Sequence, residues 1–154
     1  MGLKKISWLL VPIVLFAAVC VLFRAVLFVG VVPSASMEPT IPAGSVLLGC
    51  RVVGELRQGD VILFEHDGKS LVKRIAAVSE DRVFLNDETG SFSVNRPFPE
   101  STRTLTVPEG CFFVVGDNRE NSLDSRVWQE PFVDKENVLA VLSGSMGGSK
   151  QQFS

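Results

Sequence analysis

The sequence predicts an all-β domain over residues 24–143, preceded by one N-terminal transmembrane helix over residues 6–23. Three observations carry this. Residues 6–23, "ISWLLVPIVLFAAVCVLF", hold no charge. From Ser45 onward, short runs rich in Val, Phe and Leu alternate with Gly, Asp, Asn and Pro, the signature of strands and turns. No helical period is sustained after the N-terminus.

As a helix, residues 6–23 reach ~27 Å against a hydrocarbon layer of ~30 Å. Pro12 falls inside, where membrane helices tolerate it because neighbouring groups re-satisfy the freed carbonyl. A cleavable secretory signal shares the charged start, but its apolar core is typically only ~7–15 residues, so an uncleaved anchor is the better reading. Lys4 and Lys5 flank one end and Arg24 the other. Positive charge stays on the cytoplasmic side, which leaves residues 1–5 inside and the remainder outside a cytoplasmic membrane crossed once. Residues 25–32, "AVLFVGVV", then run as an extended apolar strand along the lipid boundary, with Arg24 at the outer interface.

The expected strands follow in order: 45–53, 61–65, 70–78, 82–86, 92–95, 104–107, 111–116 and 138–142. "HDGK" at 66–69 and "DETG" at 87–90 are hairpin connections, and the prolines of "RPFPE" at 96–100 mark a loop or an edge. Residues 144–154 form a Gly/Ser-rich flexible tail.

The formal charge is -2, and no basic run follows Lys5, so nucleic acid is not an expected partner. Cys20, Cys50 and Cys111 form no CxxC or Cys/His cluster, so no metal and no other cofactor is expected. Whether Cys50 and Cys111 pair depends on a Cα separation that spacing does not give. The lipid bilayer is an expected partner, and a monomer the expected state.

Chemistry is sought around "VVPSASMEPT", residues 31–40, where Ser34 and Ser36 follow the apolar run. A serine hydroxyl needs a base to become a nucleophile. His66 is the one histidine, and in the polar turn "EHDGK" it reads as a surface imidazole. Lys73 is the alternative. In "SLVKRIAAV", strand alternation puts it on the face of Leu71 and Ile75, with Arg74 opposite, and desolvation there lowers an amine's pKa from ~10.4. Lysine stems also cover apolar surface while the ammonium reaches water, so this feature alone does not decide. A third string, "GDNRENSLDSR" at 116–126, concentrates acids, arginines, asparagines and serines directly after "CFFVV"; as composition it equally suits a polar surface loop.

Taken in order, "PSASMEPTI", "GDVILF" at 59–64, "VKRI" at 72–75 and "GDNRENSLDSR" resemble the four signature boxes of bacterial type I signal peptidases, membrane-tethered serine endopeptidases with a Ser-Lys dyad. The likeness runs from Arg24 to about Leu142. It implies the signal-peptidase β-sheet fold, shared with self-cleaving transcriptional repressors, in a compact form without a large accessory β-domain. It implies cleavage of signal peptides from exported preproteins after small residues of Ala-x-Ala type.

By position, the resemblance makes Ser36 the nucleophile and Lys73 the neutral general base. The Ser34 hydroxyl and the Ser36 N–H become the oxyanion hole, and Ser122 orients the lysine. Asp124 and Arg126 are a supporting pair, and Gly116, Asp117, Asn118 and Asn121 are turn-forming scaffold. Val32, Met37, Ile41, Leu71 and Val72 are implied as walls of shallow substrate pockets, although each also reads as ordinary core. A signal helix ending in small residues at the outer face would meet a serine placed just after the enzyme's own anchor, so the bilayer aligns both partners. Three other readings compete: a peptidase dedicated to a specialised substrate such as a pilin, a self-cleaving repressor, which needs a DNA-binding module ahead of the serine, and a non-catalytic tethered β-domain.

Overall fold

The computed structural model describes the backbone of residues 3–51 and 53–142, with side chains from Leu10 onward; the tail predicted at 144–154 lies outside the described residues. Helix α1, Leu3–Val26, is longer than the apolar run at both ends. Lys and Arg are good helix formers, and Arg24 in the last turn meets the negative end of the helix dipole, so neither charge stops the helix. Pro12 lies within it. The expected strand at 25–32 therefore begins later, as β1, Leu27–Val31. From Leu10 to Phe23 the large apolar side chains of α1 are mostly exposed. Among the described residues, no helix is long and apolar enough to cross a membrane.

The remaining strands are β2 (Val46–Cys50), β3 (Val61–His66), β4 (Lys69–Ala77), β5 (Arg82–Leu85), β6 (Phe92–Val94), β7 (Arg103–Thr106), β8 (Cys111–Val115), β9 (Phe132–Asp134) and β10 (Val138–Leu142). Seven form one antiparallel sheet in the order β1-β2-β10-β3-β4-β8-β9, and three form a second in the order β6-β5-β7. Every strand that the sequence predicts is present. The sequence gives no warning of β9, because three residues after Pro131 are too few to establish an alternation. The β3–β4 hairpin closes through Asp67 and Gly68, both with positive φ (50° and 69°), as a tight two-residue turn requires.

Register sorts the side chains of β3 and β4. Leu63 stands opposite Val72, and Phe64 opposite Leu71. The first pair enters a core with Val32, Met37, Leu47, Ala140 and Leu142. Phe64 packs on the other side with Ile62, Ile75, Phe112 and Val114, and Leu71 joins that group. A third cluster, around Phe113, Val115 and Val83, seats the small sheet against β8. Strand β4 is thus buried on both faces in its second half, which is what makes a charged residue there costly.

Cys50 on β2 and Cys111 on β8 have β10, β3 and β4 between them, a separation of about 19 Å at normal strand spacing, which excludes a disulfide. The Cys111 thiol instead donates to Asp134 Oδ1 at 3.1 Å. Burial first, then that carboxylate, push it up to about 11.

Candidate active site

Three segments meet beside the middle of β4. The chain leaves β1, passes Pro33 and tightens into a 3-10 turn, Ala35–Met37, that buries Ser36 and Met37. This turn packs against β4 and against a second 3-10 turn, Arg119–Asn121, in the loop after β8. Lys73 lies in β4 opposite Ile62, between Leu71 and Ile75 in sequence, and is only 3% exposed.

The loop after β8 is built around Asp124, which is fully buried. Its Oδ1 accepts from Arg126 Nε at 2.8 Å, and its Oδ2 accepts from Arg126 Nη2 at 3.0 Å, the Gly116 N–H at 2.9 Å and the Ser122 hydroxyl at 2.6 Å. Burial alone would push this carboxyl up. The hydrogen bonds from Arg126, Gly116 and Ser122 outweigh it and hold the group below its ordinary range. Since Ser122 gives its only proton to Asp124, its oxygen can only accept at its other contact, the Lys73 amine at 2.8 Å. Burial drives the Lys73 pKa down; the Asp124 carboxylate opposes this and Arg126 adds to it.

Gly116 is where the lysine's partner and the serine turn converge. A Cβ at this position would collide with Ser122 Oγ and come within 2.5 Å of the Ser36 carbonyl oxygen. Within the turn, Ser34 Oγ and Ser36 Oγ are 3.3 Å apart. Arg74, on β4, donates to both oxygens of Asp117 at 2.8 and 2.6 Å and to the Gly59 carbonyl at 2.8 Å. Asp117 also takes a hydrogen bond from Thr40. Its neighbour Asn118 donates through its backbone N–H to Ser36 O at 3.0 Å and through Nδ2 to Ala35 O at 3.1 Å.

The structure therefore brings together Ser34, Ser36, Lys73, Ser122, Asp124 and Arg126. Of the expected pocket residues, Val32, Met37, Ile41 and Val72 share one cluster, while Leu71 belongs to the cluster on the opposite face, as alternation from Val72 requires. Met37 has no exposed surface and packs as core. His66 is four residues along β3 from Ile62, the partner of Lys73, or about 13 Å. It stacks on Trp128 with ring centroids 4.0 Å apart and is half-buried instead of a free surface imidazole. Asp117 and Asn118 read in the sequence as turn-formers, and their bonds to Arg74 and to the serine turn join segments too far apart in the chain for local pattern to show.

The family model described as "Signal peptidase, peptidase S26" matches residues 4–145. The chain belongs to this family. Among similar signal peptidase family members, signal peptidase I of Bacillus licheniformis is 33% identical over 138 residues, covering 74% of this chain and 74% of the relative. Signal peptidase I U of Bacillus subtilis is 33% identical over 152 residues, covering 80% and 79%. A crystal structure of a signal peptidase I from Enterococcus faecalis is similar at 27% identity, covering 59% of this chain and 99% of that one with a TM-score of 0.44. As a member of the signal peptidase family the protein is a serine peptidase, a hydrolase.

Proposed function

We propose that the protein removes N-terminal signal peptides from exported preproteins, cutting after small residues of Ala-x-Ala type with Ser36 as nucleophile and neutral Lys73 as general base. The observation that carries this reading is the buried Lys73 amine, donating to Ser122 and lowered in pKa by desolvation, beside the turn that holds Ser36.

A lysine can take a proton only from its neutral form, and burial favours that form. Because Ser122 accepts from the amine, the nitrogen lone pair stays uncommitted and available to the Ser36 hydroxyl. Lys73 removes the Ser36 proton as Oγ attacks the scissile carbonyl. The resulting oxyanion takes hydrogen bonds from the Ser36 N–H and the Ser34 hydroxyl, each such donor contributing about 2.7–4 kcal/mol. The Lys73 ammonium then gives its proton to the leaving amine. The neutral amine next deprotonates the water that attacks the acyl-enzyme, and as the acyl C–O bond breaks the ammonium returns that proton to Ser36 Oγ, so the dyad regains its starting state only after the second half-reaction. Asp124 and Arg126 hold Ser122 in place and do not exchange protons with substrate.

Val32, Met37, Ile41 and Val72 pack in one apolar cluster beside the serine turn, which supports an apolar surface for a small side chain before the cut. The uncharged run at residues 6–23, whose large apolar side chains from Leu10 to Phe23 are mostly exposed, supports an anchor in the cytoplasmic membrane with the N-terminus inside. Val29, Val31, Val46 and Leu48, exposed on one face of the adjoining β1–β2 hairpin, continue that apolar surface toward the lipid. The test is cleavage of a labelled preprotein by purified enzyme in detergent. Wild type should release the mature protein, and Ser36→Ala and Lys73→Ala should not. Retained cleavage in either variant would refute the mechanism.

A further inference from the structure

We propose that Asn118 is the residue that positions the oxyanion hole, by fixing both peptide planes on either side of Ser36. The inference rests on the assignment of Ser36 as nucleophile and its N–H as an oxyanion donor. The Ala35 carbonyl and the Ser36 N–H belong to one planar trans peptide and point in opposite directions. Whatever holds the carbonyl therefore aims the N–H. Asn118 Nδ2 donates to that carbonyl at 3.1 Å, and only an N–H can face a carbonyl oxygen, so the amide orientation is set by its partner.

The next peptide, Ser36–Met37, is held by the same residue. The Asn118 backbone N–H donates to Ser36 O at 3.0 Å. With both planes pinned, φ and ψ of Ser36 are determined, and so are the directions of its N–H and of its Cα–Cβ bond. Asn118 itself is anchored: Asp117, just before it, is clamped by Arg74, and the Asn121 N–H donates to Asn118 O at 3.2 Å. It touches neither Lys73 nor Ser122 through any of these bonds, so its influence falls on the oxyanion side of the reaction.

The side-chain bond is separable from the fold. Ala35 O also accepts from the Glu38 N–H at 3.1 Å, so removing the amide leaves this carbonyl satisfied and the turn closed, but freer to tilt. Asn118→Ala should lower kcat about 10- to 100-fold, less than or equal to the loss of a donor itself, with KM within about two-fold. A peptide boronate that forms a tetrahedral adduct on Ser36 should lose affinity by the same factor as kcat/KM. The pH of half-maximal activity, set by Lys73, should not move.

These are measured on the full-length enzyme in detergent with a labelled preprotein, beside Ser36→Ala and Lys73→Ala. Should the alanine variant not fold, Asn118→Leu carries the same readings, since it keeps the approximate shape and the backbone bond and removes the donor without adding charge. A kcat within two-fold of wild type overturns the inference, and so does a kcat loss with unchanged boronate affinity or with a shifted pH midpoint. If Ser36→Ala or Lys73→Ala retains cleavage, the nucleophile assignment has failed. If both are inactive while Asn118→Ala or Asn118→Leu is wild-type-like, only the positioning role has failed.

Discussion

Replacing Gly116 by alanine tests the convergence of the serine turn with the loop after β8. Real Cβ atoms essentially never approach a heavy atom within 3.0 Å, whereas the new methyl would stand 2.5 Å from Ser36 O and 2.6 Å from Ser122 Cβ. Ser36 O must retreat by at least 0.5 Å, yet it is tied to the Asn118 N–H, and Ser122 is tied to Asp124 and Lys73. Overpacking of this kind costs about 1–3 kcal/mol of stability. A 1 Å misplacement typically costs ~10²-fold in rate, so half of that predicts about a 10-fold loss in kcat or more. The assay pairs urea unfolding with preprotein cleavage, and Gly54→Ala, which meets nothing within 4 Å, serves as the neutral control. Wild-type stability and rate in Gly116→Ala would mean that Ser36 and Ser122 do not meet across this glycine, and the site description would be wrong.

Lys73→Met should stabilise the protein near neutral pH. The folded pKa lies below 10.5, so between the two values the unfolded chain binds more protons, and wild-type stability rises with pH through that window. Melts of both proteins across the window should show the gap closing as pH rises; a constant gap would contradict a desolvated lysine. By the same titration, kcat/KM should rise with pH through the lowered Lys73 value. Arg126→Met leaves the fully buried Asp124 without its guanidinium and should cost about 3–5 kcal/mol in urea unfolding; a loss under about 1 kcal/mol would show that solvent reaches the carboxylate. His66→Ala should keep kcat within two-fold, because its ring lies on Trp128 and away from Lys73; a large loss would reopen a histidine mechanism. Cys111, with its thiol at about 11, should resist maleimide at pH 8 in the native protein and react after unfolding.

What the sequence made legible was local. Alternation in "SLVKRIAAV" put Lys73 among Leu71 and Ile75, and the Asp-Gly pair at 67–68 placed the β3–β4 turn. The same alternation should have separated Leu71 from Val72, but a pocket inferred by resemblance treated them as one wall. Helix α1 overran its expected end because Arg24 gives no stop signal, and the boundary was set instead by β1 finding β2, a pairing between residues some twenty positions apart. The clamps from Arg74 to Asp117 and from Asn118 to the serine turn were hidden for the same reason. Each joins segments brought together only when β4 and β8 pair, and a hydrogen bond across 43 or 83 residues leaves no periodic trace.

Strand β1 runs directly from the end of α1 and is locked to β2 over all five of its residues. Its side chains alternate, with Val29 and Val31 outward and Phe28 against the core. Inserting a single residue between helix and serine would turn that pattern inside out, while two would preserve it and lift Ser36 by about 7 Å. The reach from helix to Ser36 therefore lengthens most readily by a full pleat repeat, and a single added residue would need a bulge of the kind already present in β10 and β4.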